Sequence, residues 1–159
     1  MKPTRVIGII LLSAIVIWQV ARISSRNETR RVVRQFNEGC SLIEGQRSMI
    51  FIYRPNDKDS VEWMATHTRI LNRTVDSCIK YYQDIYMQDE KRYKGYLGIL
   101  FQYKKLVYLY QGWVKYCRDN SNLEKKKQEY PYKLRDFQAG ERDIIFEKEH
   151  KAIEMILKY

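Results

Sequence analysis

The sequence predicts an all-α protein: a single N-terminal transmembrane helix followed by a three- or four-helix antiparallel bundle with long helices. Three observations carry that expectation. Residues 6–21 read VIGIILLSAIVIWQVA without one charge. Two later segments repeat apolar residues at alternating spacings of three and four. Only three prolines and seven glycines interrupt the 159 residues. The expected organisation is a basic tail at 1–5, a transmembrane signal-anchor at 6–23, a basic juxtamembrane segment at 24–56 and a helical bundle domain at 57–159.

The apolar run comes first. A hydrocarbon core of about 30 Å needs roughly 20 helical residues, with about 17 as a lower limit. Arg5 and Arg22 can extend toward the headgroups, and Trp18 sits where interfacial aromatics sit. A cleaved signal peptide would need small residues at the cut, and none fits: cutting after Ala21 places Gln19 at the third position back. A run apolar on every face suits lipid better than a small aqueous core. Lys and Arg mark the cytoplasmic side. Counting them favours a cytoplasmic C-terminus, whereas the short basic tail has the form of an export signal-anchor. The expectation adopted is an extracytoplasmic domain.

Net charge is +10 and uneven. Residues 1–34 hold seven Lys/Arg and one acid, Glu28; residues 35–159 hold twenty-two against eighteen. The basic excess therefore sits beside the apolar run, where anionic headgroups attract each basic residue by about 1 kcal/mol. Arg22, Arg26, Arg30, Arg31 and Arg34 are the expected membrane-surface contacts. A nucleic-acid binder would carry the excess on its folded domain, so no nucleic-acid partner is expected. Asn27 and Asn72 begin glycosylation sequons, which matter only in a eukaryotic secretory setting.

Residues 22–38 continue the anchor as a helix, with Val32, Val33 and Phe36 as a narrow apolar stripe and Asn37 to Gly39 as its end. Leu42-Ile43 and the run Met49 to Tyr53 are β-favouring, so a small hairpin is expected near 40–53. Pro55 to Asp57 reads as a turn, and Asp57, Asp59 or Ser60 can cap the next helix. Val61, Met64, Thr68, Leu71, Val75, Cys78, Tyr82 and Ile85 then form an uninterrupted seam of coiled-coil type. Asp89 to Lys91 breaks it. Tyr96, Leu100, Tyr103, Val107, Tyr110, Val114 and Cys117 repeat the pattern. Ile99, Leu106, Leu109, Trp113 and Tyr116 widen it, so this helix must face more than one neighbour. Residues 118–135 are polar, with Pro131 as a breaker. A last helix covers about 136–159, with Ile144, Ile145, Ala152, Ile153, Met155, Ile156 and Leu157.

Chemical motifs are sparse. Cys78 and Cys117 fall on the two seams and can be a disulfide pair, provided the helix pair turns near Gly95; if it turns at Asp89-Glu90, Cys78 faces about residue 102 and no bridge forms. Cys40 is left over. Glu147 and His150 give one Glu-x-x-His step where di-iron bundles use two, so no metal or other cofactor is expected. GxSxG, Walker, GxGxxG and HExxH patterns do not occur, and a non-enzymatic role is expected. Tyr96, Tyr103, Tyr110, Trp113 and Tyr116 form an aromatic face that suits a protein–protein interface. The leading functional expectation is a membrane-anchored structural or assembly subunit of a membrane or envelope protein complex, meeting lipid headgroups, other subunits and a second copy of itself. An anchored inhibitor or immunity-type binder of one protein is the alternative, and a ligand-binding sensor bundle a third.

Overall fold

The structure, a computed structural model, describes residues 3–50, 58–87, 89–119 and 123–157, with side chains described outside 3–16, 58, 91–92 and 123–127 of these. Four α-helices and no strand occur among the described residues: α1 (Pro3–Ile50), α2 (Lys58–Tyr86), α3 (Glu90–Asp119) and α4 (Leu123–Leu157). The chain divides into two units, Met1–Gly39 and Cys40–Tyr159.

In the first unit the backbone from Pro3 onward is helical. No helix among the described residues is long and apolar enough to cross a membrane. The span expected at 6–23 is thereby left without support: its greater part, to residue 16, lies outside the described side chains, and Ile17 to Ile23 alone are too short. These last residues are exposed, Ile17, Trp18, Val20 and Ile23 included.

The second unit is an up-down-up-down arrangement of four helices, the first contributed by residues 40–50. Here the sequence expectation is corrected. No hairpin forms at 40–50, and Asn37 to Gly39 does not end α1. Ile43 and Ile50 lie seven residues apart and both are buried, so helical spacing overrides local β-propensity. Residues 51–53 lie outside the described residues, as do Pro55 to Asp57. The indole N–H of Trp63 donates to the Met49 carbonyl at 3.3 Å. That oxygen is one of the four at a helix C-terminus that lack an intrahelical donor.

α2 buries the seam read from its sequence: Val61, Met64, Thr68, Leu71, Val75 and Tyr82. The turn into α3 is short. Asp89 N donates to Ile85 O at 3.3 Å, and the Asp89 carbonyl accepts the first bond of α3 from Tyr93 N at 3.3 Å. Because the chain turns here, α2 and α3 pair antiparallel along their whole length, in a fixed register. Tyr82 stacks on Tyr96 with ring centroids 5.8 Å apart. The Lys104 ammonium donates to Asn72 Oδ1 at 2.7 Å and Asp76 Oδ1 at 2.6 Å. The Arg118 guanidinium grips both Glu62 oxygens at 3.1 and 2.9 Å.

α3 is the central helix. It buries Tyr93, Tyr96, Leu97, Leu100, Tyr103, Leu106, Val107, Tyr110, Trp113 and Val114, more than one neighbour could cover. It packs on α2 with one side and on α4 with another. Along α4, Gly95 approaches Met155, Gly140 approaches Leu109, and Trp113 stacks on Phe137 at 4.9 Å. Pro131 does not break α4, contrary to expectation; the helix begins at Leu123 and runs through it. A proline there removes one backbone bond. Trp113 holds the helix on both sides of that defect, meeting Tyr130 at 5.7 Å as well as Phe137.

Candidate functional site

Inside the second unit, one polar layer interrupts the apolar core. Residues 44 and 47 lie one turn apart on α1. Tyr103 and Tyr110 lie two turns apart on α3, and Glu141 and Lys148 two turns apart on α4. Parallel α1 and α3 with antiparallel α4 therefore bring six polar side chains together. Glu44 Oε1 accepts from the Lys148 ammonium at 2.6 Å and the Tyr103 hydroxyl at 2.8 Å. Its other oxygen accepts from Arg47 Nε at 2.6 Å. Arg47 reaches on to Glu141 Oε1 at 3.2 Å, where the Tyr110 hydroxyl also donates at 2.6 Å. The Lys148 ammonium lies over the Tyr103 ring, 4.8 Å from its centroid.

The layer holds two carboxylates and two cations, so it is neutral, and each charge has a partner. Burial alone would push the Glu44 carboxyl up. The bonds from Lys148, Tyr103 and Arg47 outweigh it and hold the group down to about 2. Burial and the Glu44 carboxylate push the Tyr103 phenol above its usual range; burial and Glu141 do the same to Tyr110. Beside the layer, burial raises the Cys40 thiol to about 12, with Cys78 and Glu44 adding to it. Such a saturated, neutral layer ties three helices together. It presents no unpaired carboxylate or thiolate for proton transfer.

The fold buries the aromatic residues expected to form a partner surface and keeps the two cysteines expected to pair apart. Tyr96, Tyr103, Tyr110 and Trp113 are buried within the chain and Tyr116 is half-buried. The aromatic face is the core of this bundle rather than a free partner interface, because α3 meets neighbours on several sides. Cys78 and Cys117 are free thiols, as is Cys40. The turn at Asp89 sets Cys78 opposite residues near 100–102. Cys117 is about 15 residues further along α3, or about 22 Å at 1.5 Å per residue, far beyond disulfide reach. His150 is exposed, with Nε2 3.4 Å from Glu154. No group of three or more His, Cys, Asp or Glu side chains among the described residues could hold a metal ion.

In the first unit, Arg22, Arg26, Arg30 and Arg34 recur every four residues and form one ridge, with Arg31 beside it. All five are exposed. Arg22 covers the Trp18 ring at 5.2 Å, and Arg34 lies 3.4 Å from Glu38.

Two surface features are not anticipated by the sequence patterns above. A groove of about 410 Å³ between α2 and α3 is lined by Thr68, Arg69, Asn72, Gln111 and Lys115, among others. The second is on α4. Its core side is marked by Phe137, Glu141, Lys148 and Met155. On the opposite side, Tyr132, Ala139, Phe146 and Ile153 recur every seven residues, with Leu157 one turn beyond. Tyr132, Phe146, Ile153 and Leu157 are 68%, 74%, 55% and 81% exposed. The signal is present in the sequence as a strict seven-residue spacing. Pro131 and the polar residues around it mask that spacing, because they give the segment before residue 136 the composition of a loop.

No family model matches the chain, and no curated protein or solved structure matches it.

Proposed function

We propose that this protein is a membrane-anchored, non-enzymatic helical subunit that helps to assemble a larger membrane or envelope protein complex. The observation that supports this most is the outward stripe on α4. The aromatic seams of α2 and α3 are used up inside the bundle, yet α4 keeps a second apolar face turned to solvent. Large exposed apolar side chains aligned along one face of a helix are the pattern that an interaction surface presents. The arginine ridge beside Trp18 supports the lipid half of the proposal. Cations flanking an apolar run bind anionic headgroups, and tryptophan favours the interface.

Mild-detergent extraction of membranes holding the full chain at native abundance tests the assembly role. The expected result is co-migration with other proteins in a species larger than the chain, lost on Phe146→Glu. Recovery as a monodisperse monomer would overturn it. Carbonate washing tests the anchor: the chain stays with the membrane if the proposal holds, and its release would refute that part.

A further inference from the structure

Resting on the assembly role proposed above, we infer that the outer face of α4 pairs with the same face of a second copy of this chain, parallel and in register about a two-fold axis. The apolar stripe supplies the contact, and the charges beside it name the occupant. Arg135, Arg142 and Glu149 lie three residues after Tyr132, Ala139 and Phe146, and so form one flank. Asp136, Asp143 and His150 lie four residues after the same three, and form the other. All six are exposed. Among the described residues, none of Arg135, Asp136, Arg142, Asp143 or Glu149 has an ion-pair partner.

A two-fold axis along the helices brings one flank of each copy against the opposite flank of the other. Arg135 then faces the partner's Asp136, Arg142 faces the partner's Asp143, and Glu149 faces the partner's His150. Each of these pairs occurs twice, once on either side of the axis; the two Arg–Asp pairs are ionic, and Glu149 can accept a hydrogen bond from the imidazole. An antiparallel pairing instead brings each flank against itself. Centred on the stripe, it would set Arg142 against the partner's Arg142 and Asp143 against the partner's Asp143. Like charges across a helix seam select against an arrangement as strongly as unlike charges select for it. In the parallel pairing Phe146 meets the partner's Phe146, Ile153 meets the partner's Ile153, and the small side chain of Ala139 lets the helices approach. The face thereby meets the requirement for a two-fold interface, that one patch complement itself.

The test uses the full chain in mild detergent, with sedimentation as the readout, and crosslinking in native membranes as the second measurement. A dimer is expected, and Phe146→Glu should make it a monomer with unchanged helicity. Arg142→Asp, which sets a second carboxylate against the partner's Asp143, should weaken dimerisation at least tenfold. Adding Asp143→Arg should restore it, because the complementarity is then rebuilt with the signs exchanged. A bismaleimide should link Ala139→Cys to its partner in the membrane, above the level given by the native cysteines. Spin labels at position 153 should lie about 10–15 Å apart. A separation near 31 Å, about twenty-one helical residues at 1.5 Å each, would mean antiparallel pairing and would overturn the inference. So would a monomer in both settings, or a dimer indifferent to Phe146→Glu and the charge exchange. A monomer that still loses other co-purifying proteins on Phe146→Glu would refute self-pairing and leave the assembly role standing. A dimer with no other companions would do the reverse.

Discussion

Glu44 is the position where a single atom change tests the polar layer most sharply. Glu44→Gln keeps the shape and removes the charge. The wild-type carboxyl is held down from 4.5 to about 2. Each unit is worth about 1.4 kcal/mol, so the unscreened contribution to stability at neutral pH is about 3 kcal/mol. The side chain is 32% exposed, and solvent screening reduces that to about 1–2 kcal/mol. The substitution also takes the anionic partner from the Lys148 ammonium: the amide oxygen can still accept from it, but the amide nitrogen then faces the Arg47 Nε–H, donor against donor. Breaking a buried pair from one side costs about 3–5 kcal/mol when fully desolvated. For this partly exposed site a total loss of about 2–3 kcal/mol is expected. In a domain of this size that lowers Tm by about 10 °C. The pH dependence carries the sign. A carboxyl with a lowered folded pKa adds stability that is complete above its unfolded value near 4.5 and is lost as pH falls toward 2. Urea unfolding of the full chain in mild detergent, followed by far-UV circular dichroism from pH 7 to pH 2, measures both. The wild type should lose stability across that window, and Glu44→Gln should lose less of it there. Equal stability of the two proteins at pH 7, or equal slopes below pH 4.5, would refute the account of the layer.

The remaining predictions concern neighbouring features. Tyr103→Phe removes one hydroxyl bonded to Glu44 and should cost about 1–2 kcal/mol in the same assay. Gly112→Ala adds a Cβ that meets nothing within 4 Å in the interior of α3, and should stabilise by about 0.5–1 kcal/mol through helix propensity. Cys40, with its thiol raised to about 12, should react with iodoacetamide at pH 8 at least tenfold more slowly folded than unfolded, because the thiolate is the nucleophile. Mass spectrometry without reductant should find three free thiols.

The elements that were legible in the sequence are those whose pattern needs no partner to interpret. The α2 seam runs from Val61 to Ile85 without interruption, and its spacing alone specifies a helix and its buried face. The breadth of the α3 stripe required several neighbours, and several are found. Elsewhere, local composition worked against tertiary context. Ile43 and Ile50 favour strands by residue type, yet both bury on one helical face. Pro131 carries a real local penalty, and Trp113, distant in sequence, helps to offset it by meeting Tyr130 and Phe137 on either side. The polar layer was hidden for a different reason. Glu44, Arg47, Glu141 and Lys148 look in sequence like ordinary surface charges. Only the matched spacing of Tyr103 with Tyr110 and of Glu141 with Lys148, seven residues in each case, hints that they share two levels of one bundle.

That matched spacing explains why the layer belongs in a core otherwise able to pack with apolar residues alone. Seams with a seven-residue repeat tolerate sliding by one repeat, because apolar knobs meet apolar holes again. Between α4 and the end of α1 the charges forbid it. At the native register Lys148 lies level with Glu44 and Tyr103, and Glu141 level with Arg47 and Tyr110. Sliding α4 by seven residues one way would carry Lys148 toward Arg47. Sliding it the other way would carry Glu141 toward Glu44. Either slip replaces an attraction by a repulsion of similar size in a partly desolvated layer, while costing the apolar seam little. The two tyrosines serve this arrangement in a way phenylalanine could not. Their rings fill the seam and their hydroxyls bond the carboxylates, so the layer can sit in the core without leaving either carboxylate short of donors. The net energy of such a layer is small, since desolvation offsets most of the attraction. Its contribution is the choice of register, and register fixes which face of α4, with Phe146 and Ile153, is turned outward.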